Sequence, residues 1–151
     1  MKEILKMVKK KEKEYNNGDR YDGDWKNGKK EGKGIYYHIN GNRYEGEYKN
    51  GKKEGKGIFY FNTGNKNGDI YIGEWRNGKR EGKGIYYYNN GDREMGDYYN
   101  GKQMGKHVKL NKNGEVKINN NINLIINSNS VKYIKNILNN SSNDTPLLKG
   151  I

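Results

Sequence analysis

An all-β fold of consecutive hairpins is predicted by three features of this chain. Nine Asn-Gly dipeptides recur along it, beginning at Asn17, Asn27, Asn40, Asn50, Asn67, Asn77, Asn90, Asn100 and Asn113. Their steps alternate ten and thirteen residues, with Thr63-Gly64 standing in for one and a four-residue insertion at about 64–67 as the one slip. Both residues of Asn-Gly tolerate the positive φ that a type I′ turn needs, so two turns per 23 residues predict one hairpin per repeat. Finally, only 30% of the 151 residues are apolar and 14 are Tyr, too few for a sandwich core. A repeat array escapes that limit because each unit buries itself against its neighbours.

Composition narrows the function. With no cysteine, the chain has no disulfide framework, no zinc knuckle and no thiol nucleophile. No apolar run is long enough to span a membrane, and Met1–Glu14 lacks the continuous apolar stretch of a signal peptide, so a cytoplasmic location is the expectation. The net charge of +12 is spread along the chain. Residues 1–14 hold six Lys against three Glu, residues 15–118 hold 21 basic against 14 acidic residues, and the tail adds a small excess. Such a surface favours anionic partners, although solubility alone also accounts for it.

The elements follow in order. Residues 1–14 form a charged segment with Ile4, Leu5 and Val8 on one side of a candidate helix. A half unit, 15–20, matches the end of a repeat. Repeats then cover 21–43, 44–70 and 71–93, and a degenerate capping repeat covers 94–118. The first reads Tyr21-x-Gly23-x-Trp25-x-Asn27-Gly28-Lys29-x-x-Gly32-x-Gly34-x-Tyr36. Alternation along a strand puts Tyr21, Gly23 and Trp25 on one face and Asp22, Asp24 and Lys26 on the other. A two-residue turn at Asn27-Gly28 pairs Lys26 with Lys29, and thus Tyr21 with Gly34 and Gly23 with Gly32. Glycine leaves a dimple that a neighbouring ring covers, which lets a one-layer sheet bury aromatic surface. The second turn, near Asn40-Gly41, needs an odd loop to keep Tyr36 and Tyr44 on one face, and three residues with a glycine bulge are the usual solution.

This spacing of aromatic residues and glycines closely resembles the MORN motif (membrane occupation and recognition nexus) over about two thirds of the chain. The resemblance implies an elongated, single-layer, twisted antiparallel sheet. It also implies a scaffold or targeting module at the cell cortex, cytoskeleton or membrane. Such arrays also accompany phosphatidylinositol phosphate kinase and lysine methyltransferase domains, and nothing here resembles either catalytic domain.

The capping repeat departs from the pattern: Glu94 replaces the leading Tyr, His107 a glycine and Lys109 the closing aromatic. An apolar stripe (Met95, Tyr99, Val108, Leu110, Val116, Ile118) appears on the opposite face and needs a cover. The Asn-rich tail, 119–151, offers one, because Val131, Ile134, Ile137 and Leu138 lie on one side of a candidate helix over 131–138, capped by Ser130. A homodimer through the stripe is the alternative.

Two surfaces are candidate binding sites. The aromatic face (Tyr21, Trp25, Tyr36, Tyr44, Tyr48, Phe59, Tyr71, Trp75, Tyr86) is expected to be a partly exposed groove for a protein partner, unless its rings serve only the sheet. The tight turns align Lys26, Lys29, Lys30, Lys49, Lys52, Lys53, Arg76, Lys79 and Arg80 into a basic edge for anionic phospholipid, at about 1 kcal/mol per cation. Lys33, Lys56 and Lys83 lie close by. Nucleic acid ranks low, since the rings are committed to glycines and the cations alternate with acids. No catalytic, metal or cofactor residue is expected. Asp22, Asp24, Glu31 and their equivalents recur in every unit, which reads as a solvated face. His38 reads as a ring in the slot of Phe61 and Tyr88, and His107 as decay of the motif. The leading expectation is a non-enzymatic scaffold or adaptor at the cortex or cytoskeleton; the alternatives are a peripheral lipid-binding module and a regulatory fragment of a larger enzyme.

Overall fold

Residues 10–119 are described by the structure, a computed structural model. The candidate helix over 131–138, and any helix in residues 1–9, lie outside the described residues. Ten antiparallel strands form one sheet whose spatial order is the sequence order. They are β1 (Lys10–Asn16), β2 (Asp19–Lys26), β3 (Lys29–Tyr37), β4 (Arg43–Lys49), β5 (Lys52–Tyr60), β6 (Ile70–Arg76), β7 (Lys79–Tyr87), β8 (Arg93–Tyr99), β9 (Lys102–Leu110) and β10 (Val116–Asn119).

Turn chemistry sets this architecture. Asn17, Asn27, Asn50, Asn77 and Asn100 all have φ of 50–51°, and each is followed by a glycine at positive φ, as a type I′ turn requires. The other turns enclose three residues. At Ile39-Asn40-Gly41, the His38 N–H donates to Asn42 O (2.8 Å) and the Gly41 N–H to His38 O (2.9 Å). The same bonds recur at Tyr88–Asp92 and Asn111–Glu115. An odd loop therefore does keep Tyr36 and Tyr44 on one face, directly paired. The insertion lengthens one such turn and adds a 3-10 turn over Gly64–Lys66, while Phe61 N–H still donates to Asp69 O (3.0 Å).

Two expectations are corrected. Residues 10–14, placed in the charged N-terminal segment with its candidate helix, are strand: the Asn17-Gly18 turn folds them back along β2, pairing Lys10 with Trp25 and Glu14 with Tyr21. The regular register is the second. Lys26 does pair with Lys29, but Tyr21 pairs with Tyr36 and Gly23 with Gly34. A bulge lies between, with Asp24 opposite three residues of β3, and Gly32 supplies its φ of +72°. The same shift occurs at Gly55, Gly82 and Gly105.

That register puts each leading tyrosine over glycine. A Cβ at Gly34 would collide with the Tyr21 ring, and the same holds for Gly57 under Tyr44 and Gly84 under Tyr71. Each hydroxyl donates to a carbonyl three residues on: Tyr21 to Asp24 O (3.1 Å), Tyr44 to Glu47 O (3.2 Å) and Tyr71 to Glu74 O (3.5 Å). Lying flat on backbone and roofed by the next ring, Tyr44 and Tyr71 are 0% exposed in a sheet one layer thick.

Candidate interaction surface

The rings of the aromatic face form two files across the strands. In the first, Trp25, Tyr21, Tyr48, Tyr44, Trp75, Tyr71, Tyr98 and His107 meet edge to face in unbroken succession, with centroids 5.1–5.5 Å apart. Each contact is worth about 0.5–1.5 kcal/mol beyond burial. In the second, Tyr36, His38, Phe59, Phe61, Tyr86 and Tyr88 meet at tilted angles, 4.6–6.2 Å apart. All nine aromatic residues expected on this face are there. Tyr98, Phe61 and Tyr88 join them at equivalent repeat positions, and His38 fills its expected ring slot.

The face is more closed than a partly exposed groove. Tyr21, Tyr44, Tyr48, Tyr71, Trp75 and Tyr86 are buried, whereas Trp25, Tyr36, Phe59, Phe61 and Tyr88 are half-buried. Cations seal the seam between the files. Lys53 Nζ lies 4.8 Å from the Tyr44 centroid, 4.5 Å from Phe59 and 4.9 Å from Trp75. Lys30 sits over Tyr36 (4.2 Å), and Arg80 over Tyr98 (4.8 Å). Of the nine cations assigned to the basic edge, these three belong instead to the ring face, because the turn pairs each with a ring position on the facing strand, as with Trp25 and Lys30. Burial pulls the Lys53 ammonium down to about 8. Burial likewise lowers His38, with Lys53 adding to the effect.

The remaining six form a continuous exposed edge. Lys26 and Lys29 flank the first of four successive turns, Lys49 and Lys52 the second, and Arg76 and Lys79 the third; Lys102 extends the edge at the fourth. Among the described residues none of the six is ion-paired. Turn is tied to turn: the Gly51, Gly78 and Gly101 N–H groups each donate to the preceding hairpin at Lys30 O, Lys53 O and Arg80 O (2.9 Å each). Beside these bonds, Asn50 N–H donates to Glu31 Oε2 (2.9 Å), Asn77 to Glu54 (3.0 Å) and Asn100 to Glu81 (3.0 Å). These glutamates, expected on a solvated face, staple one hairpin to the next. With strands about 4.8 Å apart, the turns repeat every ~10 Å along a line.

The opposite sheet margin is stapled in the same way. Asp19 accepts from Ile39 N–H (2.8 Å) and Tyr36 Oη (2.8 Å), and these bonds hold its carboxyl below the usual carboxylate range. Asp69 repeats the arrangement with Asn89 N–H (2.7 Å) and Tyr86 (2.8 Å).

His107 is not decay of the motif. Its ring packs over Gly96, and its Nε2 lies 2.8 Å from Asp97 O. Glu94 is buried beside it, with His107 Nδ1 3.2 Å from Oε1, Gln103 Nε2 donating to Oε1 (3.0 Å) and the Tyr88 hydroxyl donating to Oε2. Simultaneous loss of the leading Tyr and its glycine is the sequence signal for this exchange.

On the second face the expected stripe is partly assembled. Met95, Val108 and Ile118 are cross-strand neighbours, as are Leu110 and Val116. Tyr99 stands apart as the last residue of β8 before the tight turn, paired with Lys102 and 63% exposed. Among the described residues no group of three or more His, Asp or Glu side chains is placed to hold a metal ion.

Residues 21–43, 44–66 and 71–93 each match the family model of the MORN repeat. No curated protein matches the chain.

Proposed function

The chain belongs to the MORN-repeat family, and on that premise we propose that it is a non-catalytic scaffold held on an anionic phospholipid surface by its tight-turn edge. One observation carries this reading: Lys26, Lys29, Lys49, Lys52, Arg76 and Lys79 are exposed on successive turns that backbone and glutamate bonds lock into register. A rigid line of cations meets a charged plane at many points at once, and each cation near an anionic bilayer contributes about 1 kcal/mol. Among the described residues no helix is long and apolar enough to cross a membrane, so attachment in this reading is peripheral. Protein partners are a second reading, favoured by the half-buried rings of Phe59, Phe61 and Tyr88, and they suit an adaptor at the cortex or cytoskeleton.

Flotation with neutral and anionic liposomes, at low and near-physiological salt, tests the proposal. Binding to anionic vesicles alone, weakened by salt and by Lys29→Gln, Lys52→Gln and Lys79→Gln together, supports it. Equal binding to neutral vesicles, or none at near-physiological salt, rejects it and leaves the ring face as the interaction surface.

A further inference from the structure

The second face of the sheet changes character halfway along. One transverse row of directly paired residues runs Asp22, Ile35, Glu45, Ile58, Ile72, Ile85, Met95, Val108, Ile118. From β5 onward it is wholly apolar. Asp22 and Glu45 hold the same repeat position as Ile72 and Met95, so the apolar half is no requirement of the repeat, whose first two copies fold with carboxylates there. A neighbouring row adds Tyr60, Ile70 and Tyr87, then Leu110 and Val116 past Arg93.

All the described strands lie in one layer, so none of them covers this face. Ile58 is nevertheless only 1% exposed and Leu110 6%. The buried tyrosines of the first face have glycines to lie on and rings to roof them; Ile58 is flanked across the strands by Glu45 and Ile72.

We propose that the chain's own residues 120–138 dock on this apolar half-face, with Val131, Ile134, Ile137 and Leu138 packed against the row from Ile58 to Ile118. The geometry allows it. Six strands put the ends of the row about 24 Å apart. The chain leaves β10 at one end of that row, and the eleven residues 120–130 reach as far as ~36 Å when extended. A helix over 131–138, as the sequence predicts, would span about 12 Å, enough to bridge two to three strands. Ile122, Leu124, Ile125 and Ile126 supply further apolar contacts along the connector. The docked segment is then an integral cover for the C-terminal half of the array, which leaves the ring face and the basic edge for partners.

The full chain contains no cysteine, so single thiols can be placed as reporters. Alkylation rates are measured for Ile72→Cys, Ile85→Cys and Val108→Cys, with Lys26→Cys as an exposed reference, with and without Ile134→Asp plus Ile137→Asp. The expected result is that the three face thiols react at least roughly tenfold faster once the tail is altered, the free energy of about one buried apolar side chain, while Lys26→Cys does not change. Should the double substitution unfold the sheet, Ile134→Ala gives the same comparison with a smaller increase. Shielding that is indifferent to the tail substitutions overturns the proposal. Shielding that falls on dilution overturns it in favour of a second copy of the chain.

Discussion

His107 Nε2 lies 2.8 Å from the carbonyl oxygen of Asp97, the position that receives the Tyr21, Tyr44 and Tyr71 hydroxyls at Asp24, Glu47 and Glu74 in the earlier repeats. A carbonyl only accepts, so Nε2 carries the proton and donates it. The ring therefore comes from β9 instead of β8, yet it satisfies the same backbone group and closes the same edge-to-face file against Tyr98. Tyr over Gly has been exchanged for Gly under His.

The exchange predicts strong coupling between two positions. His107→Gly alone leaves a cavity beside the buried Glu94 and should cost about 2–4 kcal/mol. Adding Glu94→Tyr restores the arrangement of the regular repeats and should bring stability back to within about 1 kcal/mol of the original. Chemical denaturation of the four chains in the cycle measures the coupling, and additive losses would refute the exchange.

Tyrosines in one file should not respond alike to loss of their hydroxyls. Tyr44 donates to Glu47 O, so Tyr44→Phe should cost about 1 kcal/mol. The Tyr48 hydroxyl is buried with no partner in hydrogen-bond reach, so Tyr48→Phe should be neutral or stabilising. Thermal melts of the two variants decide the matter.

Stability should rise with pH above neutrality, then fall. The folded Lys53 gives up its proton near 8 and the unfolded one near 10.5, so between those values the unfolded chain binds more protons and folding gains. The shift corresponds to on the order of 3 kcal/mol, some of which the ring faces around the ammonium offset. Tyr21, Tyr44, Tyr48 and Tyr71 are displaced upward by burial, so above about pH 10 the unfolded tyrosines ionise first and stability is lost. Lys53→Met should be more stable than the native chain at pH 7 and lack the rise from 8 to 10, as read by urea midpoints across that range.

Removing a staple should loosen one turn and leave the sheet standing. With Glu54→Ala, Asn77 N–H loses its acceptor, costing about 1 kcal/mol. Amide exchange should accelerate at Asn77 and change little at Asn100, which Glu81 holds.

Much of this fold is legible because Asn-Gly admits few backbone solutions: five of the nine dipeptides adopt the expected type I′ geometry, and the longer turns have the odd loop that Tyr36 and Tyr44 require. Register is not, because the stretch Glu31-Gly-Lys-Gly34 holds two glycines, and local sequence does not say which takes the bulge and which lies under a ring. The bulge in turn decides which residues share a face with Trp25, so Lys30, Lys53 and Arg80 look like edge residues in the sequence and belong to the seam in the fold. Lys10–Glu14 carries no strand signal of its own; pairing with β2 imposes one. The shift from Asp22 and Glu45 to Ile72 and Met95 is visible in the aligned repeats, but its meaning depends on the transverse rows that only the paired strands reveal.

A sheet whose spatial order repeats its sequence order has a mechanical signature. Tension on the two ends of the described array loads the outermost strand first, and its hydrogen bonds break in succession, as in a zipper, without being sheared together. Each released 23-residue repeat would add at most about 80 Å, its fully extended length. Such an array yields in steps and re-forms from whichever hairpin survives, so it can lengthen under strain and recover without unfolding as a whole.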